Sequence, residues 1–84
     1  MYSVEITGRA EKELRRLGNE AKKRMVPALL GLGANPRPSG CLKVQSAEGA
    51  CRIRVGDYRI AYMVDDGARV VRVIHVGLRD HFYA

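Results

Sequence analysis

Arg52, Arg54 and Arg59 are the residues of this sequence whose type and spacing most suggest chemistry. A guanidinium cannot give up its proton at ordinary pH, but its planar fork of donors binds phosphate oxygens two at a time and stacks on bases. Arginines held together therefore suit a polyanion. Near the C-terminus, Arg79, His81 and Tyr83 add a further cation, an imidazole that titrates near neutrality and a ring able to stack on a nucleobase. The alternative for that tail is structural, with Phe82 and Tyr83 packing it onto the core.

Bulk charge points the same way. Fifteen Lys and Arg against nine Asp and Glu give a formal charge of +6, and arginine supplies eleven of the fifteen. A polyanion is the first partner class to consider, with plain surface solvation by arginine-rich coding as the alternative. Cys41 and Cys51 read as small apolar residues, and His75 and His81 stand in no metal-ligand spacing. No metal and no cofactor are expected. Eighty-four residues with 46% apolar and 29% charged content describe one small packed domain over residues 1–84. The apolar runs, such as residues 27–30, fall far short of the about 20 residues a membrane span requires. The first residues, with an early Glu5 and no apolar run, do not resemble a secretory signal, so a cytoplasmic location and no membrane partner are expected.

The elements that must position these groups follow from periodicity. Residues 2–6 alternate, with Tyr2, Val4 and Ile6 on one face of a short strand. Thr7 offers an N-cap to a helix carrying Ala10, Leu14 and Leu17 on its inner side, and Gly18 a left-handed close to it. A second helix opens at Asn19 and places Ala21, Met25, Ala28, Leu29 and Leu32 on one stripe. Pro27 should kink it or remove a hydrogen bond. Arg15, Arg16, Lys22, Lys23 and Arg24 then lie on the wet side of a helical hairpin. Residues 33–40 form a loop, after which the period becomes two in four short strands around 41–44, 51–55, 58–64 and 69–76. The expected fold is α+β: a short N-terminal strand, a two-helix hairpin, then an antiparallel meander forming one sheet with the helices on one face.

Alternation places Ile53 and Val55 on one side of their strand and Arg52 and Arg54 on the other, while Arg59 leaves the side taken by Tyr58, Ile60 and Tyr62. With the apolar sides beneath the helices, all three arginines share the open face. Such crowding costs energy at surface dielectric, which favours a bound anion. An ordinary solvated face, with Glu48, Asp57, Asp65 and Asp66 pairing the arginines, is the competing reading. Arg69 and Arg72 read as surface charge, and His75 as a packed or partly exposed structural histidine among valines.

The run from Cys51 to Asp66, with Gly-Asp-Tyr-Arg-Ile-Ala-Tyr at its centre, the Val-Gly-Leu-Arg segment at 76–79 and the terminal Tyr83 together resemble the RelE/ParE toxin superfamily of toxin–antitoxin systems. The resemblance covers nearly the whole chain. It implies, for the RelE-like branch, a ribosome-dependent endonuclease that cuts mRNA without metal by attack of the ribose hydroxyl on the adjacent phosphate. Motif by motif it puts catalytic roles on Arg52, Arg54, Arg59, Arg79 and Tyr83, with RNA binding on Lys43, Arg52 and Arg54, and it leaves His81 or Tyr83 as the group for proton transfer. Where that branch often has lysines, this chain has Arg52 and Arg54, which can hold phosphate but make poor bases. Val44-Gln45 stands where a glycine is common, and Cys51 where an aromatic is usual. The implied partners are a cognate antitoxin, RelB-like or similar, the ribosome with its mRNA, and operator DNA through the antitoxin complex alone. The alternatives are a ParE-like inhibitor of DNA gyrase that acts by binding, and a catalytically degenerate member.

Overall fold

The computed structural model describes residues 1–39, 41–43 and 50–78. The elements run β1 (Ser3–Ile6), α1 (Gly8–Arg16), α2 (Asn19–Ala34), β2 (Leu42–Lys43), β3 (Ala50–Val55), β4 (Tyr58–Asp65) and β5 (Val70–Leu78). The strands form one five-stranded sheet in the order β1-β5-β4-β3-β2. From β2 to β5 it is the expected antiparallel meander. The first strand joins the same sheet beside β5 in parallel, which makes the sheet mixed.

Thr7 caps α1 by accepting the Ala10 amide hydrogen at 3.2 Å. Gly18 does not adopt the expected left-handed turn; its φ of −68° and ψ of 165° are extended. The cause is the next helix, since Gly18 is itself the N-cap of α2 and an N-cap requires extended dihedrals. Leu17 ends α1 instead, its amide bonded to the Leu14 carbonyl. The α2 helix runs through Pro27, which costs it one backbone hydrogen bond on an exposed face.

Ala21, Met25, Leu29 and Leu32 are buried as the stripe requires. Met25, Leu29 and Leu32, with Ala10 of α1, pack on Cys51, Ile60, Tyr62, Val71, Val73 and Val76 of the sheet. Both helices thus cover one sheet face, and burying these side chains supplies most of the stabilisation. Val4 packs against this core, whereas Ile6 stays 41% exposed where β1 gives way to α1 at the sheet edge. Gly33 is required by close approach: its carbonyl accepts the Tyr2 amide hydrogen at 2.8 Å, and a Cβ there would sit 2.9 Å from the Tyr2 carbonyl oxygen.

At one end of the molecule, Asp66 in the β4–β5 turn accepts two hydrogen bonds from the Arg37 guanidinium, at 3.1 and 2.9 Å, and one from the Tyr2 hydroxyl at 2.6 Å. Beside it, the buried Tyr62 hydroxyl donates to the Pro36 carbonyl at 2.7 Å. These bonds tie β1, β4 and the loop after α2 together.

Candidate functional site

The β3–β4 hairpin sets the geometry of the arginines. A two-residue connection, Gly56-Asp57, joins its strands, with Gly56 at a φ of +60° that disfavours any side chain. This fixes the register: Arg54 lies directly opposite Arg59, Ile53 opposite Ile60, and Arg52 opposite Ala61. Ile60 and Cys51 belong to the buried core, so Arg52, Arg54 and Arg59 all face away from the helices. Leu42, opposite Arg52, is 56% exposed on the same side.

A directly opposed pair of like charges destabilises an antiparallel ladder. The local hydrogen bonds do not neutralise it: Arg54 Nε donates to the Gly56 carbonyl at 3.1 Å, and Arg59 Nη1 to the Tyr58 carbonyl at 3.3 Å. Two of the acids that might have paired with these arginines are engaged elsewhere, Asp66 by Arg37 and Tyr2, and Asp65 by the Ala68 amide. Among the described residues, no carboxylate lies within ion-pair distance of Arg54 or Arg59.

One contributor escapes sequence reasoning. Arg24, placed by periodicity on the wet side of the helices, reaches the hairpin, and a Cβ on Gly56 would lie 3.4 Å from its Nη1. Length and position are its only signal, because α2 must cross above β3 for a long side chain to span the gap. On the helix side of β3, Ala28, Leu32, Ile53 and Val55 line a groove of about 570 Å³ with Arg54 at its rim.

Lys43 lies on the two-residue strand β2 opposite Cys51, so it points to the opposite face from Arg52 and is not gathered into the arginine row. Alternation turns it with Cys51, although it is itself exposed. Arg79, His81 and Tyr83, like Glu48, lie outside the described residues. Cys41 and Cys51 are free thiols, and burial pushes the Cys51 thiol's pKa up, which suits a packing role. Burial likewise raises the Tyr62 phenol. At the other end, the Arg37 and Tyr2 hydrogen bonds hold the Asp66 carboxyl down at about 2.

His75 does not lie among the valines as a regular strand would place it. It stands directly opposite Ala61, on the side of the sheet that carries Arg52 and Arg59.

A short strand and helical hairpin ahead of a meander, with an arginine row on the sheet face turned away from the helices, define a small basic α+β protein. The family model described as "ParE toxin of type II toxin-antitoxin system, parDE" matches residues 4–81. Toxin RelE of Mycobacterium tuberculosis is 36% identical over 83 residues, 98% of this chain and 86% of that protein. RelE in the intact Escherichia coli RelBE toxin–antitoxin complex superposes with a TM-score of 0.82 at 30% identity, covering 93% of this chain and 96% of that one. Isolated E. coli RelE gives the same TM-score and identity, over 99% of this chain and 92% of its own. The chain belongs to the RelE/ParE toxin superfamily, as a RelE-like toxin of a toxin–antitoxin system.

Proposed function

We propose that this toxin is an mRNA endonuclease that acts on ribosome-bound message and cuts without metal, by attack of a ribose 2′-hydroxyl on the adjacent phosphorus. The observation that carries the reading is the directly opposed Arg54–Arg59 pair with Arg52 beside it, a costly arrangement that a phosphate diester would neutralise. Arg52 and Arg54 hold the phosphate, and Arg59 meets the charge that builds on its oxygens as phosphorus becomes pentacoordinate. Arg79 joins this set by its place after Val-Gly, Tyr83 stacks on a base or handles a proton, and His81 serves proton transfer. Lys43 contacts RNA away from the scissile phosphate.

The partner is a cognate antitoxin, consistent with the RelB complexes of the structural relatives, whose acidic or helical segment covers the arginine face and is drawn to it by charge. Operator DNA is bound through that complex, and the toxin works in the cytoplasm. Among the described residues no helix is long and apolar enough to cross a membrane.

The test is primer extension along mRNA on programmed ribosomes with purified chain. Cuts at A-site codons are expected, and Arg59→Ala or Arg79→Ala should each lower the rate by about 10²–10³-fold with the fold intact. Unchanged cleavage in both variants would end the assignment. The ParE description of the matching family favours one second reading, inhibition of DNA gyrase, and a supercoiling assay run in parallel separates the two.

A further inference from the structure

One line of α2 runs along the β3–β4 hairpin. Arg24, Ala28 and Gly31 stand at i, i+4 and i+7 and so share one side of the helix. Ala28 and Gly31 line the groove against Ile53, Arg54 and Val55 of β3, which puts Arg24 on the same line, one turn nearer the hairpin tip. There a Cβ on Gly56 would lie 3.4 Å from Arg24 Nη1, and the Gly56 carbonyl accepts the Arg54 Nε hydrogen at 3.1 Å. Two guanidinium groups from different elements thus come together at one turn residue that has no side chain.

Cations brought to one residue repel each other. Among the described residues no carboxylate lies within ion-pair distance of Arg24 or Arg54, and Asp57, the other residue of the turn, makes no ion pair. Other long basic side chains on the helices are treated differently. Arg9 lies 3.6 Å from Glu13, Arg15 2.7 Å from Glu11 and Lys23 3.7 Å from Glu20, whereas Arg24 is directed towards a second cation. Such a pair is arranged for an anion from outside the fold.

Position selects the anion. Arg59 lies directly opposite Arg54 across the ladder, so the cations run from Arg59 on the open face through Arg54 and round the hairpin tip to Arg24 on the helix side. An RNA strand carries one negative charge at every nucleotide and can meet successive cations along such a line. The fork of a guanidinium also matches the unbridged oxygens of a phosphodiester. We propose that Arg24 binds the backbone phosphate of the message next to the one that is cut, with Arg54 between the two. The inference rests on the ribonuclease reading and adds to it a binding residue on the helices. Arg24 holds the strand before and during the reaction alike, so it acts on affinity more than on the chemical step.

The test is single-turnover cleavage on programmed ribosomes at increasing concentrations of the purified chain. It uses the natural message and messages in which one phosphate flanking the cut is replaced by an uncharged methylphosphonate. Arg24 is exposed, and surface substitutions of this kind change stability little, so the variants keep the fold. On the natural message Arg24→Ala should raise the half-saturating concentration by about tenfold and lower the maximal rate by less, with Arg24→Lys recovering part of the loss. On the message neutralised beside the cut, wild type and Arg24→Ala should become alike. An Arg24→Ala penalty that is the same on every neutralised message overturns the inference and assigns the contact to ribosomal RNA. A half-saturating concentration within about twofold of wild type, with Arg59→Ala still impaired, overturns it and leaves the ribonuclease reading standing. Weaker capture of the co-expressed antitoxin by that variant would then name a protein carboxylate as the ligand. Absence of cleavage by wild type overturns both.

Discussion

Arg37 and Arg59 occupy opposite situations in one small molecule. Arg37 meets a carboxylate through two hydrogen bonds, and the Tyr2 hydroxyl completes the acceptor, so its charge is matched where three chain segments are tied together. Arg59 faces Arg54 across the ladder and bonds to its neighbour's carbonyl, and among the described residues its charge meets no carboxylate. Within a single fold, matched charge goes with holding the structure together and unmatched charge with readiness for something outside it. Like charges set side by side cost stability wherever a fold keeps them, and proteins commonly accept such costs at functional sites.

The contrast can be broken or sharpened experimentally. The largest effect is expected from Arg59→Glu, which turns the opposed pair into an ion pair. Cleavage of ribosome-bound mRNA should fall by at least about 10²-fold, while thermal denaturation should show stability unchanged or raised by about 0.2–1 kcal/mol. A strongly destabilised variant would show that the hairpin arginines serve the fold, and the comparison would fail. Next is Tyr62→Phe at the matched end. It deletes the buried bond to the Pro36 carbonyl and should cost about 0.5–1.5 kcal/mol in denaturant titration, with cleavage unchanged.

The smallest effect concerns acid. Asp66 has a folded pKa of about 2 against an ordinary 3.8, so its bonds favour the ionised form. Its contribution to stability is complete above the ordinary value and is lost as pH falls through about 2. Asp66→Asn should therefore be slightly less stable at neutral pH, and the stability difference from wild type should shrink between those two pH values. A difference that is constant with pH would place the stabilisation elsewhere.

Much of this was legible in the sequence because it rests on local periodicity. Thr7 and Asn19 mark the helix starts, the period-two runs mark the strands, and the alternation of Arg52, Arg54 and Arg59 against Ile53, Val55 and Ile60 puts the arginines on the uncovered face. What escaped depends on long-range partners. The parallel pairing of β1 with β5 is set by where α1 and α2 return the chain, and the extended Gly18 by the helix that follows it. The Arg37–Asp66 bond joins residues 29 apart in sequence, and Arg24 meets the hairpin only once α2 is laid over the sheet. The face that His75 takes escaped for a sharper reason, although it is the partly buried histidine expected: Ala61 pairs with His75 but Tyr62 with Val73, and the extra residue, Ile74, inverts every inside–outside assignment beyond it without breaking the apolar run that betrays the strand. Of the candidate site, the arginine row on β3 and β4 could be read in advance, whereas Arg24 at its hairpin end could not, since the turn it reaches comes 32 residues later in the chain.

The two margins of the sheet have a consequence for life in a crowded cell. One margin is the four-residue β1 and the other the two-residue β2. Where β1 stops, Glu13 takes up the Val76 amide that a foreign strand would otherwise seek. Exposed strand margins are templates on which copies of a protein zip together into insoluble ribbons, and brevity with a charged guard is a known defence. A toxin so bounded can accumulate beside its own copies without extending them strand by strand, and remains a discrete particle for its true partners to find.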